Sequence, residues 1–209
     1  MKIELKGIHY SAQLSEETSA FSANLYINGY KVGTASNHGH GGATNYTPFN
    51  EKGRQLIKEV EAYCKSLPPE KYTVGGEERQ LDMNLELYID DLLTDHLKKK
   101  NLQQFRKKLK KYTTNHIVIG IPDQSFRTLR LKFPIDLLLT HPQGESVLTD
   151  IMKEKIIPFL KENEKILNPN IPEKILKNAG LSENQYIPPK TGIQEDERQK
   201  NAHRKGESL

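Results

Sequence analysis

Apolar and polar residues alternate along the first part of the chain with the period of two that is typical of β-strands. Residues 2–10 alternate in this way, and residues 21–34 do so on both sides of the pair Asn28-Gly29. An Asn-Gly pair between two alternating runs predicts a two-residue type I′ turn, because both central residues of that turn need positive φ. The pattern predicts a strand and then a hairpin, with Ile27 opposite Tyr30 and Leu25 opposite Val32.

Further along, apolar residues recur at the three- and four-residue spacing of helices. A first helix is predicted to begin at Thr47, as its N-cap, and Pro48, because proline is favoured in the first turn. A second helix is predicted over about residues 81–111. A third follows Pro142 and is expected to kink at Pro158, since proline cannot donate the helical hydrogen bond.

The apolar run at residues 116–121 and the alternating run at residues 127–133 predict another hairpin. Residues 70–80 are expected to form a loop, either without a strand or with a short one at Tyr72 to Val74. The order of these elements predicts an α+β fold. We expect a mostly antiparallel sheet, made of the three N-terminal strands plus the later hairpin, packed on one face by three helices.

The composition indicates one domain with a polar tail. The chain has 209 residues, of which 35% are hydrophobic and 28% charged, which is globular but polar. Beyond about Pro188 the sequence has too few apolar residues to offset the entropy of ordering. We therefore predict a single domain over residues 1–187 and a disordered C-terminal tail over residues 188–209.

Charge and cysteine content bear on location and partners. The net charge of +4 permits an anionic partner without requiring one. The single cysteine, Cys64, cannot form an internal disulfide, which fits a reducing compartment. No apolar run approaches the roughly 20 residues of a membrane-spanning helix, and no signal peptide is visible. These features predict a cytoplasmic protein without a membrane partner, and they leave the oligomeric state open.

The stretch "SNHGHGG" over residues 36–42 is the first candidate site. Glycines let backbone N–H groups approach a ligand and form a concave anion-binding nest. Histidines supply a charge, an acid or base, or a metal ligand. The alternative is a glycine-rich surface loop. The candidate ligand-binding residues here are Asn37, His38, Gly39, His40, Gly41 and Gly42, with Gly41 and Gly42 expected to serve backbone geometry.

The N-terminal third resembles uncharacterised small proteins of phages, plasmids and bacterial chromosomes that share a "SEET" segment and an "N-x-G-H-G-G" loop. The matching residues are Ser15, Glu16, Glu17 and Thr18, then Asn37, Gly39, His40, Gly41 and Gly42. The resemblance implies a site and a mobile-element setting but no reaction, and it favours His40 over His38. Pairing of the first two strands would bring both segments to one end of the sheet, where they would line one pocket. The alternative for the "SEET" segment is an ordinary solvated loop.

A basic run is the second candidate site, because a helix with many cations can contact the phosphates of nucleic acids. The alternative is a solvated helix end whose cations complement the macrodipole. No stacking platform of aromatic residues is evident beside it. The candidate phosphate-binding residues are Lys98, Lys99, Lys100, Arg106, Lys107, Lys108, Lys110 and Lys111.

Three functions remain open at this point. The first is binding of an anionic ligand, a nucleotide or a nucleic-acid phosphate, through the Gly/His loop; a role in modulating host defence is implied by the resemblance alone. The second is a phosphoester hydrolase in which His40 works with Glu16 or Glu17 as acid and base, or holds a divalent metal. The third is a protein–protein inhibitor without a chemical site, for instance of a host defence protein.

Overall fold

The computed structural model of the chain describes residues 1–189. They divide into two compact units, one over Met1–Lys100 and one from Asn101 onward. Each unit has its own β-sheet structure, two sheets in the first and one in the second, and its own hydrophobic core. The single domain over residues 1–187 stays a prediction. The predicted tail over residues 188–209 lies, except for its first two residues, outside the described residues.

The N-terminal unit is built on a four-stranded antiparallel sheet. Its strands follow chain order and are β1 (Ile3–Ser11), β2 (Ala20–Ile27), β3 (Tyr30–Asn37) and β4 (Asn45–Pro48). Asn28 and Gly29 have φ of 50° and 85°, which confirms the tight turn of the predicted hairpin. Ile27 lies opposite Tyr30 as predicted, but Leu25 lies opposite Gly33, because a bulge places Val32 as an extra residue in β3.

The first helix, α1 (Glu51–Lys65), begins later than predicted. Thr47 and Pro48 belong to β4, an edge strand in which the missing N–H of proline is tolerated. The N-cap is instead Asn50, whose side chain accepts a hydrogen bond of 2.9 Å from the backbone N–H of Gly53. The prediction of a Thr47 cap was therefore wrong by three residues.

Residues 70–81 form an exposed hairpin rather than a loop, with β5 (Glu70–Val74) and β6 (Glu77–Leu81) paired to each other. It precedes the long helix α2 (Leu85–Tyr112). Apolar side chains on one face of α1 and of the first turns of α2 pack against the sheet. This core includes Leu25, Ile27, Ile57, Val60, Cys64, Leu85, Ile89 and Leu93.

The C-terminal unit contains a three-stranded antiparallel sheet, in which the first of the three strands along the chain lies between the other two. Its strands are β7 (His116–Ile121), β8 (Ser125–Arg130) and β9 (Lys165–Ile166), and its short helices are α3 (Ile135–Thr140), α4 (Gly144–Ile151) and α5 (Glu173–Asn178). After α4 the chain makes a π-helical turn and then a 3-10 turn over Ile157–Phe159, which contains Pro158. The regular helix thus ends before the proline that was predicted to kink it.

The α+β class with mostly antiparallel strands is confirmed. The strands of residues 1–189 form three sheets instead of one. The later hairpin pairs with β9 and not with the N-terminal strands, and β5 and β6 pair with each other. Five α-helices are present in the described part of the chain, where three had been predicted to pack on the sheet. None of the helices described over residues 1–189 is long and apolar enough to cross a membrane.

Candidate functional site

The structure brings the "SEET" segment and the Gly/His loop together at one end of the N-terminal sheet. The segment Ser15–Thr18 precedes β2, and the loop follows β3. Pairing of Ser11 with Ala20, and of Phe21 with Asn37, brings the two connections side by side. These are the two stretches that the resemblance singled out.

The backbone of the "SEET" segment forms the concave cluster of N–H donors at this site. The N–H groups of Glu16, Glu17 and Thr18 all point at the carbonyl oxygen of Gly39, at 3.0, 3.0 and 3.3 Å. Such a nest is a typical anion site, and here a carbonyl oxygen of the chain itself fills it. The sequence predicted that the glycines of the loop would supply the N–H donors. In the structure the donors belong to the "SEET" segment, and they are already hydrogen-bonded to the Gly39 carbonyl.

Gly39 is a glycine for a steric reason. Its φ is +92°, and a β-carbon there would overlap the carbonyl oxygen of Leu14 and lie 2.9 Å from the β-carbon of Ala20. Gly41 has φ of +82°, and a β-carbon there would overlap the Glu17 carboxylate. Gly42 has open space around it and no positive φ, so the fold itself requires no glycine there, and the expected close approach of a ligand to Gly42 stays a prediction.

The buried side chain of Asn37 holds the loop in shape. Its Oδ1 accepts hydrogen bonds from the N–H of Gly39 (2.8 Å) and the hydroxyl of Thr18 (2.9 Å). Its amide nitrogen donates to the carbonyl of Gly42 (2.8 Å) and the hydroxyl of Thr44 (3.3 Å). One side chain therefore ties the loop to the "SEET" segment, and most of its hydrogen-bonding capacity is used by the protein.

Two carboxylates of α2 extend the site. The backbone N–H of Thr44 donates to Oε1 of Glu86 (2.7 Å), and its hydroxyl donates to Oδ1 of Asp90 (2.8 Å). Burial raises the pKa of Asp90, the Thr44 hydrogen bond opposes this, and the charges of Glu86 and Asp91 raise the pKa further. Sequence reasoning missed Thr44, Glu86 and Asp90. The available signal was the spacing of Glu86 and Asp90, which places them one turn apart on the same helix face.

A pocket of about 390 Å³ lies beside these groups. The charged residues that line it are all acidic. Among residues 1–189, Glu16 forms an ion pair with His40, whereas Glu17 and Asp90 form none. The pocket therefore presents acceptors and negative charge. Its lining residues are Ser15, Glu16, Glu17, Thr18, Ser19, Asn37, Asp90, Leu93 and Thr94.

His40 and Glu16 form a pair at the surface. Nδ1 of His40 lies 3.1 Å from Oε2 of Glu16, and the two side chains are 61% and 67% exposed. His38 lies apart from this pair and lines another pocket together with His9 and Tyr10. Within residues 1–189, no group of three or more His, Cys, Asp or Glu side chains is arranged to hold a metal ion.

The basic run divides along α2. Lys98, Lys99 and Lys100 are exposed residues of the N-terminal unit. In the C-terminal unit Arg106 is tied to Asp123, while Lys108 and Lys111 line a groove. Lys107 and Lys110 are exposed and are not among the residues that line this groove.

Comparison with known proteins assigns neither a family nor a function to the chain. No family model matches the sequence, and neither the curated proteins nor the solved structures include a significant match. The resemblance to phage and plasmid proteins therefore stays a prediction, and the functional argument rests on the geometry of the two units.

Proposed function

We propose that the N-terminal unit binds a small ligand rich in hydrogen-bond donors, and that the ligand is a nucleoside or nucleotide held by its sugar hydroxyls. The observation that carries this proposal is the acidic lining of the pocket beside the "SEET" segment. An ionised carboxylate only accepts hydrogen bonds, so its partner must donate them. Carboxylates bind ribose hydroxyls in this way in dinucleotide-binding folds.

The charge of the pocket constrains how a nucleotide would be oriented. Glu16, Glu17 and Asp90 would repel a phosphate group placed among them. The N–H nest that would otherwise attract it is filled by the Gly39 carbonyl. The phosphate of a bound nucleotide is thus expected outside the pocket, on the side of His40, whose ring is positive when protonated.

Calorimetric titration of the full chain tests this proposal. Ribonucleosides should bind, and their 2′,3′-dideoxy analogues should bind at least tenfold more weakly, since a hydrogen bond to a charged group contributes about 1.5–3 kcal/mol. Glu17→Gln and Asp90→Asn should each weaken ribonucleoside binding by a similar factor. Asn at position 90 keeps an oxygen that accepts from Thr44, so the fold should survive.

Glu59→Gln, on the exposed face of α1, is the matched control and should change nothing. Equal binding of ribo- and dideoxynucleosides would contradict the proposal. The proposal would also be contradicted if the chain bound inorganic phosphate but no nucleoside, and if Glu17→Gln abolished that binding.

The contact between His40 and Glu16 favours a second candidate, the phosphoester hydrolase. A carboxylate beside one ring nitrogen orients a histidine and leaves the other nitrogen for proton transfer. Turnover of bis(p-nitrophenyl) phosphate that is lost in His40→Ala and reduced in Glu16→Gln would support this function. Turnover that His40→Ala leaves unchanged would refute it. The divalent metal of this hypothesis has no ligand cluster among residues 1–189.

The wider setting stays a prediction. A mobile-element origin and a role against host defence rest on the resemblance alone, and the cytoplasmic location rests on composition. A chain that binds none of the nucleosides and hydrolyses nothing would favour the third hypothesis, a protein–protein inhibitor.

A further inference from the structure

The C-terminal unit has a groove with a chemistry quite different from that of the N-terminal pocket. It lies where the end of α2 faces the β7–β8 hairpin and has a volume of about 640 Å³. It combines three aromatic rings, two lysines and three side-chain amides. The lining residues are Asn101, Gln104, Phe105, Lys108, Lys111, Tyr112, Gln124, Ser125 and Phe126.

The aromatic rings form one cluster in the groove. Phe126 of β8 lies edge-to-face with Phe105 (5.3 Å between ring centroids) and with Tyr112 (5.7 Å). All three side chains are half-buried, so each is held by packing while part of it faces the groove. Partly exposed aromatic rings on a fixed scaffold are the usual stacking surface for nucleobases.

The positive charge of the groove is free of internal partners. Lys108 and Lys111 are exposed and take part in none of the ion pairs of residues 1–189. Arg106, in contrast, makes two parallel hydrogen bonds to Asp123, of 3.1 and 2.9 Å. This bidentate pair ties α2 to the turn between β7 and β8, so Arg106 shapes the groove.

We infer that this groove binds single-stranded nucleic acid, with bases stacked on the Phe105–Tyr112–Phe126 cluster and phosphates held by Lys108 and Lys111. A single strand fits better than a duplex, because bases paired inside a duplex have no free face for the rings. The amides of Asn101, Gln104 and Gln124 offer both donors and acceptors, which suits base edges. An acidic peptide would use the lysines but would leave the rings and amides without a role.

Fluorescence anisotropy with the full chain and a labelled oligothymidine of about 12 nucleotides, within the site sizes of known single-strand binders, tests this inference. Binding is expected at about 50 mM salt and should weaken steeply by about 200 mM. The double variant Lys108→Gln/Lys111→Gln should reduce the slope of log K against log salt by about 1.4, since each contact to a single strand contributes about 0.7. The matched control, Lys153→Gln/Lys155→Gln, changes two exposed lysines that do not line the groove and should leave the slope unchanged.

Stacking is tested separately from charge. Phe126→Leu should weaken binding about tenfold at fixed salt with no change in slope, because the lost contribution is not ionic. Phe105→Leu serves the same purpose if Phe126→Leu fails to fold by circular dichroism.

Three results would overturn the inference: no binding at low salt, equal loss in the groove variant and its lysine control, or competition by a hairpin duplex as strong as by single strand. Displacement of the oligonucleotide by polyglutamate at equal concentration would instead assign the groove to an acidic peptide. The groove belongs to the C-terminal unit alone, so each outcome is independent of the nucleoside proposal for the N-terminal pocket.

Discussion

Replacing Gly39 by alanine should destabilise the N-terminal unit more than the same change at any other glycine of the loop. The residue has φ of +92°, a region that costs a residue with a β-carbon about 1–2 kcal/mol. The new methyl group would also overlap the Leu14 carbonyl oxygen and press on Ala20. Relief of such overlap by backbone movement typically costs about 1–3 kcal/mol.

The two contributions add to about 2–5 kcal/mol, a large part of the stability of an ordinary domain. Any movement of Gly39 also weakens the three hydrogen bonds that its carbonyl accepts from the "SEET" segment. Urea unfolding followed by circular dichroism measures the loss as a lower midpoint at constant slope.

Gly42→Ala is the matched control for this experiment. Gly42 lies three residues further along the loop and has no positive φ, and a methyl group added to it would meet no atom within 4 Å. Its replacement should therefore change stability by less than about 0.5 kcal/mol. Equal unfolding midpoints for Gly39→Ala and the wild type would refute the reasoning. A Gly42→Ala variant as unstable as Gly39→Ala would refute it too.

Three further predictions concern single side chains. Asn37→Ala should lower the free energy of unfolding by about 2–4 kcal/mol, because it leaves the buried groups of Gly39 and Thr44 without their hydrogen bonds to Asn37, and urea titration measures this. Arg127 lowers the pKa of Glu164 to about 2, so the stability that ionised Glu164 adds is complete above about pH 4.5 and is lost as the pH falls towards 2. In thermal melts, Glu164→Gln should therefore be less stable than the wild type at pH 6. This difference in stability should vanish in acid. Burial and a 2.6 Å hydrogen bond to Glu61 raise the pKa of Tyr46 to about 12, so Glu61→Gln should lower it in a spectrophotometric titration.

Local signals predicted the parts of the fold that local chemistry determines. The Asn28-Gly29 turn follows from the φ values that those two residues accept, and it fixes the first pair of the hairpin. The bulge at Val32 depends on distant residues. The carbonyl of Val32 accepts a hydrogen bond of 2.9 Å from the N–H of Phe49, and the start of α1 packs against it at Gly53.

Strand order predicted which two segments meet at the site, but it did not predict the contacts between them. Antiparallel pairing brings the "SEET" segment and the Gly/His loop to one end of the sheet, and that much follows from strand order. Which segment donates and which accepts depends on backbone geometry that residue types do not specify. The contact of Thr44 with Asp90 joins positions 46 residues apart, and nothing in the local pattern of either indicates it.

The groove of the C-terminal unit shows the same limit. Phe105 and Tyr112 are seven residues apart on α2 and so share a helix face, which the sequence shows. Their partner Phe126 lies on β8, and only the packing of the hairpin against the helix assembles the cluster. A stacking platform was therefore not recognised from the basic run alone.

Mapping of the ligand by ¹H–¹⁵N correlation spectra tests the central claim most directly. Titration of the labelled full chain with a ribonucleoside should shift the amide resonances of residues 15–19 and of Asp90, Leu93 and Thr94, which line the acidic pocket. The 2′,3′-dideoxy analogue should shift them much less. Shifts confined to other residues, equal shifts with both nucleosides, or no shifts at saturating ligand would contradict the claim that this pocket recognises sugar hydroxyls.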